Sequence, residues 1–196
     1  VEIPNLTLHF APGASSMAPH IALYEVGAMF TPRPVSFKAY DNRSPAFLAL
    51  SPEGKVPVLE IDGRPLTEVA AILFYLARTH PAARLLPAGP EAEAQVVSWM
   101  SFIAATLHPA RRRGLEYATD VWQLADRRLG RADWAVGTYS IADIHLFRLF
   151  WRLNASLKPA PETFPNLLAH HDRMLAREAV QRTLAAEAAI GYELPA

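Results

Sequence analysis

Two adjacent serines, Ser15 and Ser16, stand where a strand-like stretch gives way to a helix. Leu6-Thr7-Leu8-His9-Phe10 alternates in the strand period, Ala11-Pro12-Gly13-Ala14 is turn-forming, and an apolar helical face runs from Pro19 to Val26 before Gly27. A hydroxyl at a helix start has two uses: it caps the helix, or it joins neighbouring amides in holding an anion. Thr67-Glu68 has the same position before a second apolar run, where it reads as an N-cap followed by a first-turn acid. His108 closes a third apolar run before Pro109, which suits a cation near a helix C-terminus. The run Arg111-Arg112-Arg113 can grip an anion but reads better as a solvated helix end. His170 and His171 are adjacent and cannot share a helix face, so a metal site there is not expected. The chain has no cysteine, which excludes disulfides, thiolate metal ligands and an enzyme-borne thiol nucleophile; any thiol chemistry must use a sulfur brought by the substrate.

The elements that must position these residues follow from local pattern. Phe30 to Phe37 reads as a second strand, with Pro32 and Pro34 confining it to an edge or to one end, and Asp41 to Leu50 as a short helix. Lys55 to Ile61 and Arg64 to Thr67 flank Asp62-Gly63, the strongest short-range hairpin signal. Val56-Pro57 is either a trans edge-strand proline or a cis bond that turns the Val56 amide and carbonyl outward. A helix from Ala70 to Arg78 stops before Pro81, and residues 81–90, rich in Pro, Ala and Gly, form a linker. Beyond it, 91–107, 121–129, 141–157 and 165–187 carry apolar residues at helical spacing. Ser140-Ile141-Ala142-Asp143 is a capping box, structural in role. The expectation is an α/β unit over 1–82 and an all-α unit over 90–196.

Composition limits the partners. Half the residues are hydrophobic and a fifth charged, as in ordinary globular proteins, and the formal net charge of zero gives no field to draw nucleic acid or an anionic membrane. The longest apolar stretch, 69–77, is too short to span a bilayer, and Val1-Glu2-Ile3-Pro4 lacks the pattern of a secretory signal, so a cytoplasmic protein is expected.

The stretch from Phe10 to Leu23, Ser51-Pro52-Glu53-Gly54-Lys55-Val56-Pro57-Val58-Leu59, Leu66-Thr67-Glu68-Val69-Ala70-Ala71-Ile72, the segment from Trp99 to His108, Ser140-Ile141-Ala142-Asp143 and Arg177-Glu178-Ala179-Val180-Gln181 occur in one order. Together they resemble the bacterial beta-class glutathione transferases over nearly the whole chain. The resemblance implies a thioredoxin-like N-terminal domain, an all-α C-terminal domain and a homodimer. It also implies activation of the glutathione thiolate for attack on a small hydrophobic electrophile, with no metal. The implied site comprises Phe10, Ser15, Lys55, Val56, Pro57, Glu68, Val69 and Ser101 for binding, with Ser15, Ser16 and His108 for catalysis. In it Val56-Pro57 is cis, Glu68 and the Val69 amide hold the γ-glutamyl end, and His108 faces the sulfur, often across the dimer interface.

Departures from the pattern shape the expectation. Beta-class relatives place cysteine where Ser15 stands, and the first-strand tyrosine of other classes is Phe10 here. Ser15 and Ser16 are the candidates left, with Ser16 aligning better with serine-using classes. The lysine that follows the relatives' histidine is Pro109, an upstream Glu is Thr106, and Val69 replaces Ser or Gly. Only 32 residues separate His108 from Ser140, fewer than in relatives, so the fourth and fifth helices are expected to be shortened. A free thiol with pKa about 8.5 needs roughly 2.7 kcal/mol to be lowered by about two units. A hydrogen bond from one hydroxyl to a charged acceptor contributes roughly 1.5–3 kcal/mol, so a single serine suffices. Two alternatives stay open: a binding or interaction module that has lost turnover, and a glutathione-dependent isomerase or ether-cleaving enzyme.

Overall fold

The computed structural model describes residues 4–193, so the reading of the opening segment as lacking a secretory signal falls partly outside the described residues. Its contacts divide the chain into two units. One takes the residues up to Thr79 together with those from Glu178 on, and the other is His80–Arg177.

The first unit is built on a four-stranded sheet. β1 (Leu6–Phe10), β2 (Phe30–Pro34), β3 (Val58–Ile61) and β4 (Arg64–Thr67) lie in the order β2-β1-β3-β4. β2 runs parallel to β1, and the other neighbours are antiparallel. The prolines of β2 cannot donate to a ladder, and β2 accordingly occupies an edge. Asp62 (φ 51°) and Gly63 (φ 76°) both take the left-handed backbone that a two-residue hairpin requires. α1 (Met17–Glu25) crosses between the parallel strands and ends in a Schellman arrangement: Gly27, at φ 66°, donates to Tyr24 O, and Ala28 N–H to Leu23 O. A 3₁₀ turn (Asp41–Arg43) and α2 (Pro45–Leu50) follow β2, and α3 (Val69–Thr79) follows the hairpin. The element order is the strand-helix-strand-helix-hairpin-helix order read along the sequence, and the arrangement is the thioredoxin-like one that the resemblance implies.

The pattern over 165–187 suggested one continuous helix. The structure has two, α7 (Pro165–Leu175) and α8 (Glu178–Ile190). Neither Pro nor Gly marks the break at Ala176-Arg177, so local pattern gives no stop signal there. α8 buries Ala179, Val180, Thr183 and Glu187 on one face and packs against α1, which groups it with the first unit although the sequence division placed it with the second.

The second unit is helical: α4 (Pro90–Phe102), α5 (Leu115–Leu129), α6 (Ile141–Leu157) and α7. α4 runs into a π-helical stretch, Ile103–Leu107, and a 3₁₀ turn, Ala110–Arg113, precedes α5. α6 opens with the anticipated capping box. Ser140 Oγ accepts from Ala142 N–H at 3.3 Å while the Asp143 carboxylate accepts from Ser140 N–H at 2.9 Å. Asp143 does more than close the box: its other oxygen accepts from Ala135 N–H at 2.7 Å and meets His170 Nε2 at 3.0 Å. A fully buried carboxylate thereby joins the loop before α6 to α7.

Candidate active site

Strand register decides which residues of the first unit come together. His9 lies opposite Val58 and Val58 opposite Thr67, so the end of β1, the start of β3 and the end of β4 share one end of the sheet. The segments leaving that end are the Ala11–Ser16 loop, Val56-Pro57 and Glu68-Val69. Ala11 and Ala14 pack with Val35, Phe47, Val56 and Val58 in one apolar cluster, which fastens the loop beside Val56. The Val56–Pro57 bond is cis.

Within this frame the two serines part company. Ser16 is fully buried, and its Oγ accepts from Ala11 N–H at 3.1 Å and donates to Ala11 O at 3.2 Å. Although it sits at the N-cap position of α1, it caps no helical amide; it ties the loop to itself. Ser15 is only half-buried, and its hydroxyl donates to Val56 O at 3.1 Å. Its bond is to a single carbonyl at the edge of the loop, whereas both faces of the Ser16 hydroxyl are used.

At the β4–α3 junction, Glu68 rather than Thr67 supplies the first helical acceptor, taking Ile72 N–H at 3.0 Å. Glu68 is exposed and held at φ 71°, a region costly for a residue with a side chain. Val69 is buried. The Phe10 ring is also buried, 4.8 Å from the His20 imidazole, so of the predicted binding residues it can offer a ligand only backbone. Lys55 is exposed and paired with Glu53. The turn ahead of it depends on Gly54: at φ 66°, a Cβ there would come within 2.8 Å of Asn42 O.

Ser101 and His108 belong to the second unit. Both are exposed, Ser101 near the end of α4 and His108 just past the π-helical stretch, where its N–H donates to Ile103 O at 2.9 Å. π-helical turns are rare and recur at functional sites because they re-aim the residue that follows. His145 on α6 is kept neutral, chiefly by burial and then by the charges of His108 and Arg148, which bring its pKa down to about 3.

Sequence reasoning missed Glu187. It is fully buried, with one carboxylate oxygen 2.7 Å from Gly13 N and the other 2.9 Å from His20 Nδ1. Partners so far apart in sequence leave no local signal. The π-helical stretch was missed as well, because its apolar spacing reads as ordinary helix.

Fold and site define a two-part architecture: a thioredoxin-like unit presenting a hydroxyl beside a cis-proline, joined in sequence to helices. Residues 4–78 match the family model of the glutathione S-transferase N-terminal domain and 113–178 that of its C-terminal domain. The chain is 33% identical to the glutathione S-transferase GstA of Escherichia coli, over 93% of this chain and 98% of that one. A maleylacetoacetate isomerase of Rhizobium meliloti is 36% identical over 62% of this chain and 56% of its own. Among solved structures, a sphingomonad glutathione S-transferase complexed with glutathione superposes with a TM-score of 0.83 at 33% identity, covering 93% of this chain and 98% of that one. The protein belongs to the glutathione S-transferase family and is, by that membership, a glutathione transferase.

Proposed function

We propose that the protein binds glutathione at the shared end of the sheet and that the Ser15 hydroxyl holds its thiolate for attack on a small hydrophobic electrophile. The observation that carries this is the division of labour between the serines: Ser16 is buried and doubly engaged, while Ser15 is half-buried beside Val56 O. Turning from that carbonyl to a thiolate exchanges a neutral hydrogen bond of roughly 0.5–1.5 kcal/mol for a charged one of roughly 1.5–3 kcal/mol, a net gain of about 1–1.5 kcal/mol. Lowering a thiol of pKa about 8.5 by two units takes roughly 2.7 kcal/mol, so the exchange covers about half of it and the amides at the helix start contribute toward the rest.

In this reading the Val56 backbone pairs with the extended tripeptide. The strained, exposed Glu68 accepts from its α-ammonium, and the Val69 amide donates to its α-carboxylate. The left-handed backbone at Glu68 supports a functional constraint, since such outliers cost about 1–3 kcal/mol and persist where the surroundings demand them. Lys55 is read as a further contact, and the Phe10 contribution is confined to its backbone. The thiolate sulfur forms a bond to the electrophilic carbon, and the leaving group departs with its electron pair. The working form is read as a cytoplasmic homodimer, with 1–82 as the glutathione-binding domain and the helical domain over 90–196, its last helix, α8, packing with the first unit.

Titration calorimetry with glutathione, followed by turnover of a panel of alkyl and aryl electrophiles with Ser15→Ala as the comparison, tests this. Binding with Ser15-dependent conjugation is the expected result. Absence of heat at millimolar glutathione would sink the whole reading, and binding without turnover would leave a glutathione-binding module. The likeness to a maleylacetoacetate isomerase favours a second reading, in which the thiolate adds to an unsaturated substrate and is expelled again after rotation. Product analysis separates the two, because isomerisation returns glutathione unchanged.

A further inference from the structure

The Ala11–Ser16 loop is held from a place far along the chain. Glu187, on α8, is fully buried, and its two oxygens reach the two flanks of the serine pair: Gly13 N–H at 2.7 Å on one side and His20 Nδ1 at 2.9 Å on the other. A buried carboxylate is costly unless its oxygens are paired, so both contacts are needed to keep it there. Gly13 sits at φ 74°, a backbone state that aims its N–H at the carboxylate. His20 is in turn fixed by rings: Phe10 at 4.8 Å, Tyr24 at 5.2 Å and Phe30 at 5.6 Å between centroids. α8 itself packs on α1 and buries Ala179, Val180 and Thr183. The carboxylate thus spans Gly13 to His20, and Ser15 lies inside the span.

We propose that Glu187 is a positioning residue for the reaction, acting through Gly13 and His20 to set where the Ser15 hydroxyl points. The inference rests on the reading that Ser15 serves the glutathione thiol. The Ser15 hydroxyl donates to Val56 O, so it is located between two supports: the apolar cluster that includes Val56 and the carboxylate that takes Gly13 N–H. If the second support retracts, the loop can shift without unfolding, because Ser16 still closes it on Ala11. The chemistry then loses thiolate stabilisation before it loses glutathione, whose γ-glutamyl contacts lie at Glu68 and Val69.

The test uses the full chain with three substitutions. Glu187→Gln keeps the reach, since the amide oxygen can accept from Gly13 and the amide nitrogen can donate to His20 Nδ1. Glu187→Asp withdraws the carboxylate by one methylene, and Glu187→Leu removes it. The ultraviolet absorbance of the enzyme-bound thiolate is titrated against pH, alongside calorimetric glutathione binding. The Asp and Leu variants are expected to raise the bound thiol pKa by about one unit, which is a tenfold loss of thiolate at a pH below it. Their kcat should fall most at low pH and recover as pH rises past the free thiol value, with glutathione affinity changed less than about threefold, well under 1 kcal/mol. Glu187→Gln should return most of the shift. A folded Asp or Leu variant with an unmoved thiol titration overturns the proposal, as does a Gln variant as impaired as Leu. Should Leu fail to fold, Asp and Gln decide. If the unaltered protein itself binds no glutathione, the functional reading fails; if it binds with a lowered thiol pKa and the variants leave that pKa in place, only the role of Glu187 fails.

Discussion

Ser15 and Ser16 differ by one position and by everything that surrounds their hydroxyls. Ser15→Ala is expected to raise the pKa of bound glutathione and cut kcat/KM by about 10- to 100-fold near neutral pH, the loss of one charge-assisted hydrogen bond of roughly 1.5–3 kcal/mol. Its melting temperature should barely move. Ser16→Ala strands the buried Ala11 N–H and costs stability instead, about 1–3 kcal/mol, with the thiol titration kept closer to its original place. Thermal unfolding set beside a thiolate titration separates the pair, and a Ser16→Ala protein that is stable but inactive would reverse the assignment. Glu68 offers an independent check: Glu68→Gly relieves the φ 71° backbone, so its melting temperature should hold or rise while glutathione affinity falls by about tenfold or more, as measured by calorimetry. The motifs around these residues were readable because each is contiguous in sequence. The choice between the serines was not, because it depends on Ala11 folding back over Ser16, and Glu187 was invisible because Gly13 and His20 find it only after α8 has docked.

At the level of elements, the hairpin, the restricted place of β2, the stop of α1 and the start of α6 were legible from Asp62-Gly63, Pro32, Pro34, Gly27 and Ser140-Ile141-Ala142-Asp143, residues whose backbone chemistry allows few alternatives; the order of the strands in the sheet was not. The break at Ala176-Arg177 and the π-helical Ile103–Leu107 stretch carry no such residues; packing sets them, so periodicity alone ran through both. Gly54 shows how one turn governs the approach to Val56-Pro57. A Cβ there would meet the Asn42 carbonyl at 2.8 Å, and the Asn42 side chain already donates to Gly54 O at 3.0 Å. Gly54→Ala therefore has no room to relax outward. The left-handed backbone alone costs about 1–2 kcal/mol, and the clash with main chain adds to it. Urea unfolding should show a lower midpoint at an unchanged m-value, and glutathione binding should weaken with it; an unaltered midpoint would mean the turn is looser than these distances allow.

The two units can be watched separately because all four tryptophans, Trp99, Trp122, Trp134 and Trp151, belong to the helical one. Tryptophan fluorescence therefore reports its unfolding, and that is where acid should act first. His145 is neutral in the folded chain with a pKa of about 3, because burial and then the charges of His108 and Arg148 oppose its protonation. Its Nδ1 has no hydrogen-bond partner among the described residues, so nothing local rewards a proton there. The unfolded chain binds that proton with a pKa of about 6.5. Below that value the unfolded state holds one proton more than the folded state, and stability falls as pH falls, by up to about 1.4 kcal/mol per pH unit. Burial depresses the His171 pKa too, against the opposing pull of Asp172, which adds to the slope in the same sense. Between pH 6.5 and 5 the carboxylates of exposed Glu53 and half-buried Glu193, whose own pKa values are lowered by their partners, stay ionised and do not contribute. Denaturant titrations followed by tryptophan fluorescence across that window should give a steep loss of stability for the unaltered chain and a shallower one for His145→Gln, the difference approaching one proton. Equal slopes for the two proteins would show that His145 is protonated at no cost in the folded state, contrary to the burial and charge that surround it.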